Sequence, residues 1–114
     1  MGMLGLETAV GVVAQAMVAT GLLDWAGVAD RMSIAPARIG RLEGHGRPLA
    51  VGEPANLTLI DPEHSWTVDA HALQSRSRNT PYASRELPVR VVATFLRGRP
   101  TVLDGSVVGS AVPA

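Results

Sequence analysis

Residues 35–62 read APARIGRLEGHGRPLAVGEPANLTLIDP, and this stretch decides how the chain is interpreted. It begins as the end of a helix, passes through a dense series of glycines and prolines, and finishes as an apolar run closed by Asp61-Pro62. Glycine and proline at this density predict turns. We therefore expect a connector at 44–55, with a helical part before it and a strand-rich part after it.

A first helix is predicted in the N-terminal part. Large apolar side chains recur at Leu6, Val10, Val13 and Met17, which is the spacing of one helix face. The positions between them are apolar as well, so such a helix needs cover on more than one side. Gly21 is typical of a helix C-terminus.

Two further helical pieces are predicted before the connector. Asp24 is suited to cap a helix that runs from Trp25 to about Met32. Ser33 begins a third helical piece, which extends past Pro36.

Strand-forming residues dominate after the connector. Short strands are predicted at 56–60 and 66–68, and 89–96 with 101–103 is predicted to be a hairpin that turns at 97–100. Because the helices precede the strands and do not alternate with them, the predicted fold class is α+β.

Composition limits the classes of function. The chain has 114 residues, zero formal net charge, no cysteine and ten basic residues, all arginine. Zero net charge leaves no electrostatic footprint for nucleic acid or an anionic membrane. The missing cysteine excludes disulfides, thiolate metal sites and cysteine nucleophiles from this stretch. The apolar segment 9–23 is too short to span a bilayer comfortably, so we predict a buried helix in a cytoplasmic protein.

No catalytic or metal-binding motif is found. The histidines are His45, His64 and His71, and they form neither a His-x-His pair nor a helical i, i+4 pair. We therefore predict ordinary surface histidines, with no catalytic residue and no metal ligand in this stretch. G-x-S-x-G and a strand-linked G-x-G-x-x-G are also absent.

Several polar residues admit a structural interpretation that outweighs a catalytic one. Glu7 is interpreted as a first-turn acid that stabilises its helix and not as a general base. Arg76 and Arg78 are interpreted as solvated loop charges and not as an anion site. Asn79 is interpreted as part of a rigid connector in which it caps a turn.

Five segments together resemble the C-terminal portion of a bacterial, actinobacterial-type dihydroorotase of the amidohydrolase superfamily. They are GMLGLETAV at 2–10, SIAPARIGRL at 33–42, GRPLAVGEPANLTLID at 46–61, SRNTPY at 77–82 and VVATFLRGRPTVLDG at 91–105. The pattern at 52–61 and the hairpin are shared with hydantoinases and related deacetylases. The combination of GLET with NTPY narrows the resemblance to dihydroorotase.

The resemblance implies a partial fold. Residues 1–43 correspond to the last helices of a (β/α)8 amidohydrolase barrel, and 44–55 to the connector. Residues 56–108 correspond to strands of the small C-terminal β-sandwich domain, and 109–114 to a tail.

The resemblance also implies an activity and a cofactor. Dihydroorotases interconvert N-carbamoyl-L-aspartate and dihydroorotate in pyrimidine biosynthesis, with zinc that polarises the amide carbonyl and supplies a hydroxide. The family's metal ligands and catalytic aspartate have no counterpart in these residues, so the chain alone is predicted to be inactive. Only Met1 and Gly2 match a substrate-binding position, in a loop whose backbone touches the substrate. Met1 stands where the family has Pro or Phe, which suggests a start inside a longer coding sequence.

Two other functions stay open. The chain is alternatively a non-catalytic amidohydrolase-like module that binds a partner, or a fragment of a hydantoinase-like cyclic amidohydrolase. A homodimer or a complementing chain is the expected protein partner. Because a barrel helix without its sheet and strands without neighbours leave apolar faces and edges uncovered, the isolated chain is predicted to be loosely folded or self-associating.

Overall fold

The computed structural model describes residues 2–109 of the chain. They form two compact units. One comprises the described residues up to Leu22 together with Pro62–Arg90, and the other comprises Leu23–Asp61 together with the described residues from Val91 onward.

Both helices and strands occur, and the mixed composition of the predicted α+β class is confirmed. The predicted substrate-binding position at Met1 lies outside the described residues, as does all of the predicted tail except Gly109. The division into 1–43, 44–55 and 56–108 follows the composition of the sequence and remains a prediction.

The first helix is regular only at its start. Helix α1 spans Ala9–Val13 and continues into a π-helical turn at Ala14–Val18, where the Ala19 N–H bonds to the Ala14 carbonyl oxygen at 2.9 Å. Gly21 has a φ of +77° and lies just beyond the end, so the predicted C-terminal stop is confirmed.

The buried side of α1 consists of small residues. Thr8 and Ala14 expose only 2% and 4% of their surface, whereas Leu6 exposes 97%. A Cβ on Gly11 would stand 3.1 Å from Leu87 Cβ, so the glycine permits the close approach. Of the predicted apolar face, Val10, Val13 and Met17 are half-buried and Leu6 is exposed, so the face is packed only in part.

The second helical segment is continuous. Helix α2 (Trp25–Ala29) passes through a second π-helical turn (Asp30–Ile34) into helix α3 (Ala35–Ile39). The predicted cap is confirmed, since Asp24 Oδ1 accepts a hydrogen bond of 2.7 Å from the Gly27 N–H.

The predicted separation into two helices near Ser33 is wrong. In a regular α-helix the ring of Pro36 would clash with the carbonyl group of Met32. The π-helical turn widens the helix just before the proline, with the Ala35 N–H bonded to the Asp30 carbonyl oxygen. The helix can therefore continue across Pro36.

Asn56 fixes the end of the connector. Its side-chain nitrogen donates a hydrogen bond of 2.7 Å to the Gly44 carbonyl oxygen, and its side-chain oxygen accepts one of 2.8 Å from the Arg97 N–H. One amide therefore joins the connector to the turn of the predicted hairpin.

Two sheets are found within residues 2–109. Their strands are β1 (Leu57–Asp61), β2 (Trp66–Thr67), β3 (Glu86–Leu87), β4 (Arg90–Leu96), β5 (Arg99–Leu103) and β6 (Ser106–Val107). One sheet has the order β1-β4-β5-β6, and β2 pairs with β3 in the other. The predicted hairpin is confirmed as β4 and β5, with Leu96 opposite Arg99 and a register shift after Thr94.

Each unit has a small core. The buried apolar residues of the first unit are Ala14, Val68, Leu73, Leu87 and Val89, and those of the second are Val28, Ala37 and Ala93. None of the helices among residues 2–109 has the length and apolar character needed to cross a bilayer.

Candidate functional site

The N-terminal segment, residues 2–8, contains Gly2, one of the two residues predicted to contact substrate. It forms no strand and precedes α1, and Gly2 within it is exposed. Its polar backbone groups must therefore find partners outside regular secondary structure.

Asn79 supplies partners for this segment. Its side-chain nitrogen donates a hydrogen bond of 2.6 Å to the Gly2 carbonyl oxygen. Its own carbonyl oxygen accepts one of 2.8 Å from the Leu4 N–H. The predicted turn-capping role of the Asn79 side chain is wrong, because the amide reaches across to the N-terminal segment.

Hydroxyl groups make the turns around Asn79. The Ser77 hydroxyl accepts a hydrogen bond from the Asn79 N–H, and the Thr80 hydroxyl accepts one from the Tyr82 N–H, both at 3.2 Å. Residues 77–82 therefore form successive turns that are closed by side-chain hydroxyls, and the Asn79 side-chain amide can bond to Gly2 instead.

Glu7 joins the N-terminal segment to the same loop. Its Oε1 accepts a hydrogen bond of 2.8 Å from the Gln74 N–H. The prediction of a first-turn acid is wrong, since α1 begins at Ala9 and Thr8 occupies the N-cap position. A carboxylate on a loop N–H satisfies a backbone donor, which is a structural role.

Arg78 holds the loop from within. Its guanidinium donates to the carbonyl oxygens of Leu73, Ser75 and Ser77, at 3.1 Å for Leu73 and 3.4 Å for Ser77. The prediction of a solvated loop charge is therefore only half right: Arg78 is exposed, but its donors satisfy backbone carbonyls. All three contacts are made by Nη1, so this nitrogen of the guanidinium is occupied by the loop backbone.

A cleft lies between the N-terminal segment and the loop. It is lined by residues 3–8 and 73–75, and its walls are mainly apolar. The carboxylate that lines the cleft belongs to Glu7, and its Oε1 accepts a hydrogen bond from the Gln74 N–H. The cleft therefore offers a ligand backbone groups, an apolar wall, the Glu7 carboxylate and the hydroxyls of Thr8 and Ser75.

A second cleft in the other unit is rich in arginine. Arg38, Arg41 and Arg47 line it together with His45. Arg47 makes two hydrogen bonds to the Glu53 carboxylate, of 2.7 and 2.8 Å, and these bonds lower the pKa of Glu53. One of the three guanidinium groups is thus already neutralised by an internal partner.

The described residues do not form a zinc site. Within 2–109, no group of three or more His, Cys, Asp or Glu side chains could hold a metal ion. His64 and His71 belong to the first unit and His45 to the second.

Comparison with known sequences identifies relatives. No family model matches the chain. It is 64% identical over 105 residues to a Streptomyces coelicolor protein named dihydroorotase, and 58% identical over 106 residues to one from Mycobacterium tuberculosis. These matches cover 92% and 93% of the chain, and 24% and 25% of the two proteins. The chain is related to actinobacterial dihydroorotases. It spans about a quarter of the length of the curated relatives it matches.

Solved structures agree with this relationship at the level of the fold. The L-hydantoinase (dihydropyrimidinase) from Arthrobacter aurescens matches with a TM-score of 0.83 and 29% identity, over 94% of this chain and 24% of that one. The D-hydantoinase from a Thermus species matches with a TM-score of 0.79 and 27% identity, over 90% and 22%. The described residues therefore adopt a fold found in hydantoinases, and the predicted resemblance to dihydroorotase is confirmed.

Sequence reasoning did not predict the contacts of Glu7 and Asn79. They join residues 67 and 77 positions apart, so no local pattern signals them. The motifs GLET and NTPY contain these two residues, and their joint occurrence was the available signal.

Proposed function

We propose that the chain is the C-terminal part of a dihydroorotase, a cyclic amide hydrolase that interconverts N-carbamoyl-L-aspartate and dihydroorotate in pyrimidine biosynthesis. The observation that carries this proposal is the 64% identity, along 92% of the chain, to a protein named dihydroorotase. The activity belongs to the whole enzyme, of which this chain supplies about a quarter.

The proposed place of the chain in that enzyme follows the predicted division. Residues 1–43 supply the last barrel helices, and 56–108 supply strands of the β-sandwich domain. The continuous helical segment and the sheet β1-β4-β5-β6 support this assignment. Met1 and Gly2 belong to the loop whose backbone touches the substrate, and the exposure of Gly2 supports its part of the assignment.

The proposed enzyme is zinc-dependent and cytoplasmic, and its zinc is held by residues outside this chain. What this chain contributes is the backbone of the N-terminal segment, the wall of its cleft and the loop that holds both. The isolated chain is accordingly inactive, and its protein partner is a second copy or a complementing chain.

A hydantoinase-like activity is the second candidate. It is favoured by the structural matches to two hydantoinases, at TM-scores of 0.83 and 0.79. Sequence identity to those proteins is 29% and 27%, less than half of the 64% found for the dihydroorotase from Streptomyces coelicolor. Dihydroorotate is therefore preferred as the substrate.

A chimeric enzyme tests the proposal. The 114-residue chain would replace the matching 105-residue stretch of the Streptomyces coelicolor protein, whose remaining three quarters supply the rest of the enzyme. Hydrolysis of dihydroorotate and of hydantoin would be measured, with bound zinc, for the chimera, the unmodified Streptomyces protein and the isolated chain.

The proposal expects hydrolysis of dihydroorotate by the chimera, together with an isolated chain that binds no zinc and shows no turnover. Preference for hydantoin would favour the second candidate. An inactive chimera beside an active Streptomyces protein would overturn the proposed function. Stoichiometric zinc and turnover in the isolated chain would instead overturn the assignment of the metal ligands to the rest of the enzyme.

A further inference from the structure

Two consecutive peptide groups of the N-terminal segment are held by one residue. Asn79 bonds to the carbonyl oxygen of Gly2 at 2.6 Å and to the N–H of Leu4 at 2.8 Å. These atoms belong to the peptide groups on either side of Met3. Fixing both groups removes most of the rotational freedom of the backbone at this point.

Packing does little to hold Gly2. Met3 exposes 72% of its surface, and a Cβ added at Gly2 would meet no described atom within 4 Å. Glycine also has more backbone freedom than any other residue. The direction of the Gly2 peptide groups therefore depends on hydrogen bonding, to which Asn79 contributes directly.

Asn79 is itself well placed to act as an anchor. Its N–H is bonded to the Ser77 hydroxyl, and the adjacent Arg78 is bonded to three carbonyl oxygens of the same loop. Pro81 restricts the backbone that follows. The anchor is thus stiffer than the glycine-containing segment that it holds.

We propose that Asn79 is a positioning residue of the assembled enzyme, which sets substrate affinity by fixing the backbone of Gly2. This inference rests on the proposed function, because it takes Gly2 as a substrate-contacting residue. Small misplacements of a binding group reduce its contribution steeply. Since a backbone contact of this kind is made before and during the reaction, its loss raises KM more than it lowers kcat.

The chimeric enzyme described above is the test system, with Asn79→Ala and Asn79→Asp as variants. Asn79→Asp keeps the shape of the side chain but cannot donate to the Gly2 carbonyl oxygen when ionised. Asn79→Ala removes the donor without adding a charge near the anionic substrate. Both variants keep the main-chain bond to Leu4.

Asn56→Asp is the matched control. Asn56 also donates a side-chain hydrogen bond to a glycine carbonyl oxygen, that of Gly44 at 2.7 Å, and lies in the other unit. Steady-state kinetics with dihydroorotate, zinc content and the midpoint of thermal unfolding would be measured for all three variants.

Both Asn79 variants are expected to raise KM about tenfold, with kcat within about twofold of the parent and zinc unchanged. Asn56→Asp is expected to lower the unfolding midpoint and leave KM unchanged. If the Asn79 variants lower only the unfolding midpoint, Asn79 is structural and the inference is overturned. If the parent chimera is inactive while the Streptomyces protein is active, the proposed function itself fails, and the inference fails with it.

Discussion

The indole N–H of Trp66 donates a hydrogen bond of 3.1 Å to the carbonyl oxygen of Val89. Val89 has a φ of +71° and exposes only 2% of its surface. A β-branched residue rarely adopts this backbone conformation, and its strain amounts to about 1–3 kcal/mol. The indole bond and the buried side chain together offset that strain.

At most extended positions an alanine variant is more stable than a glycine variant. Replacing Val89 should reverse this order. Val89→Ala loses buried side chain and keeps the strain, whereas Val89→Gly loses slightly more side chain and relieves it. Glycine in an extended segment is normally less stable than alanine by about 0.5–1 kcal/mol. Because the strain of about 1–3 kcal/mol is larger than this difference, we expect Val89→Gly to unfold at the higher temperature. Circular dichroism during heating of the chimeric enzyme that carries each variant measures both midpoints.

Val68 provides the control for this comparison. It exposes 1% of its surface and is not among the residues with positive φ. Val68→Ala should unfold at a higher temperature than Val68→Gly. The same order at position 89 would contradict the assignment of strain to Val89.

Gly46 is predicted to tolerate no side chain. Its φ is +61°, and a Cβ there would lie 2.9 Å from Ala37 Cβ and 3.0 Å from Ile34 Cα. Gly46→Ala should reduce stability by about 2 kcal/mol or more, since backbone strain and overpacking act together. Gly52→Ala is the matched control, because Gly52 has a φ of +90° with no described atom within 4 Å of its Cβ position. Equal losses in thermal unfolding of the chimeric enzyme would show that the close contact at Gly46 contributes nothing.

The Arg47–Glu53 ion pair predicts a pH dependence. The Arg47 guanidinium lowers the pKa of the Glu53 carboxyl, chiefly through their hydrogen bonds. A lowered pKa in the folded chain contributes stability above the unfolded value, about 4.3, and that stability is lost as pH falls through the folded pKa. Both side chains are partly exposed, so salt should weaken the effect.

Carbon-detected NMR titration of the Glu53 side chain checks whether Arg47 lowers the pKa of Glu53. Arg47→Gln should move the midpoint of Glu53 upward toward its ordinary value. Arg38→Gln removes an equal charge from the same cleft and leaves the Glu53 hydrogen bonds in place, so it should move the midpoint much less. Equal shifts in the two variants would indicate a general charge effect without a specific pair.

Self-association of the isolated chain is also predicted. Leu6 exposes 97% of its surface, Leu49 86% and Ile39 80%, although all three are large and apolar. Covering such side chains contributes about 1.5–3 kcal/mol each, so association is favoured. Sedimentation velocity should show mass increasing with concentration, and Leu6→Ser with Ile39→Ser should reduce it more than Gln15→Ser. A monomer at every concentration with a sharp melt would contradict this.

Local signals in the sequence predicted local structure. Asp24 caps α2, Gly21 follows the end of the first helix, and the hairpin β4–β5 forms where β-branched residues flank a turn. Each depends on a few neighbouring residues, whose geometry side-chain chemistry largely determines.

Features that depend on distant contacts were not predictable in the same way. Gly11 became a packing surface because Leu87, which is far from it in the sequence, lies against it. The candidate site was predicted only at Met1 and Gly2, from resemblance, and Asn79, which bonds to Gly2, lies 77 residues away. Periodicity and propensity carry no information about such pairings.

The separation of Gly2 and Asn79 also has a consequence for synthesis. A ribosome adding 5–20 residues per second needs roughly 4–15 s to cover the 77 residues between them. During that interval the N-terminal segment emerges without its anchor, next to the exposed Leu6 side chain. During this time a chaperone that binds apolar segments has access to the N-terminal segment. That access decreases once residues 79–82 have left the exit tunnel and Asn79 can bond to Gly2.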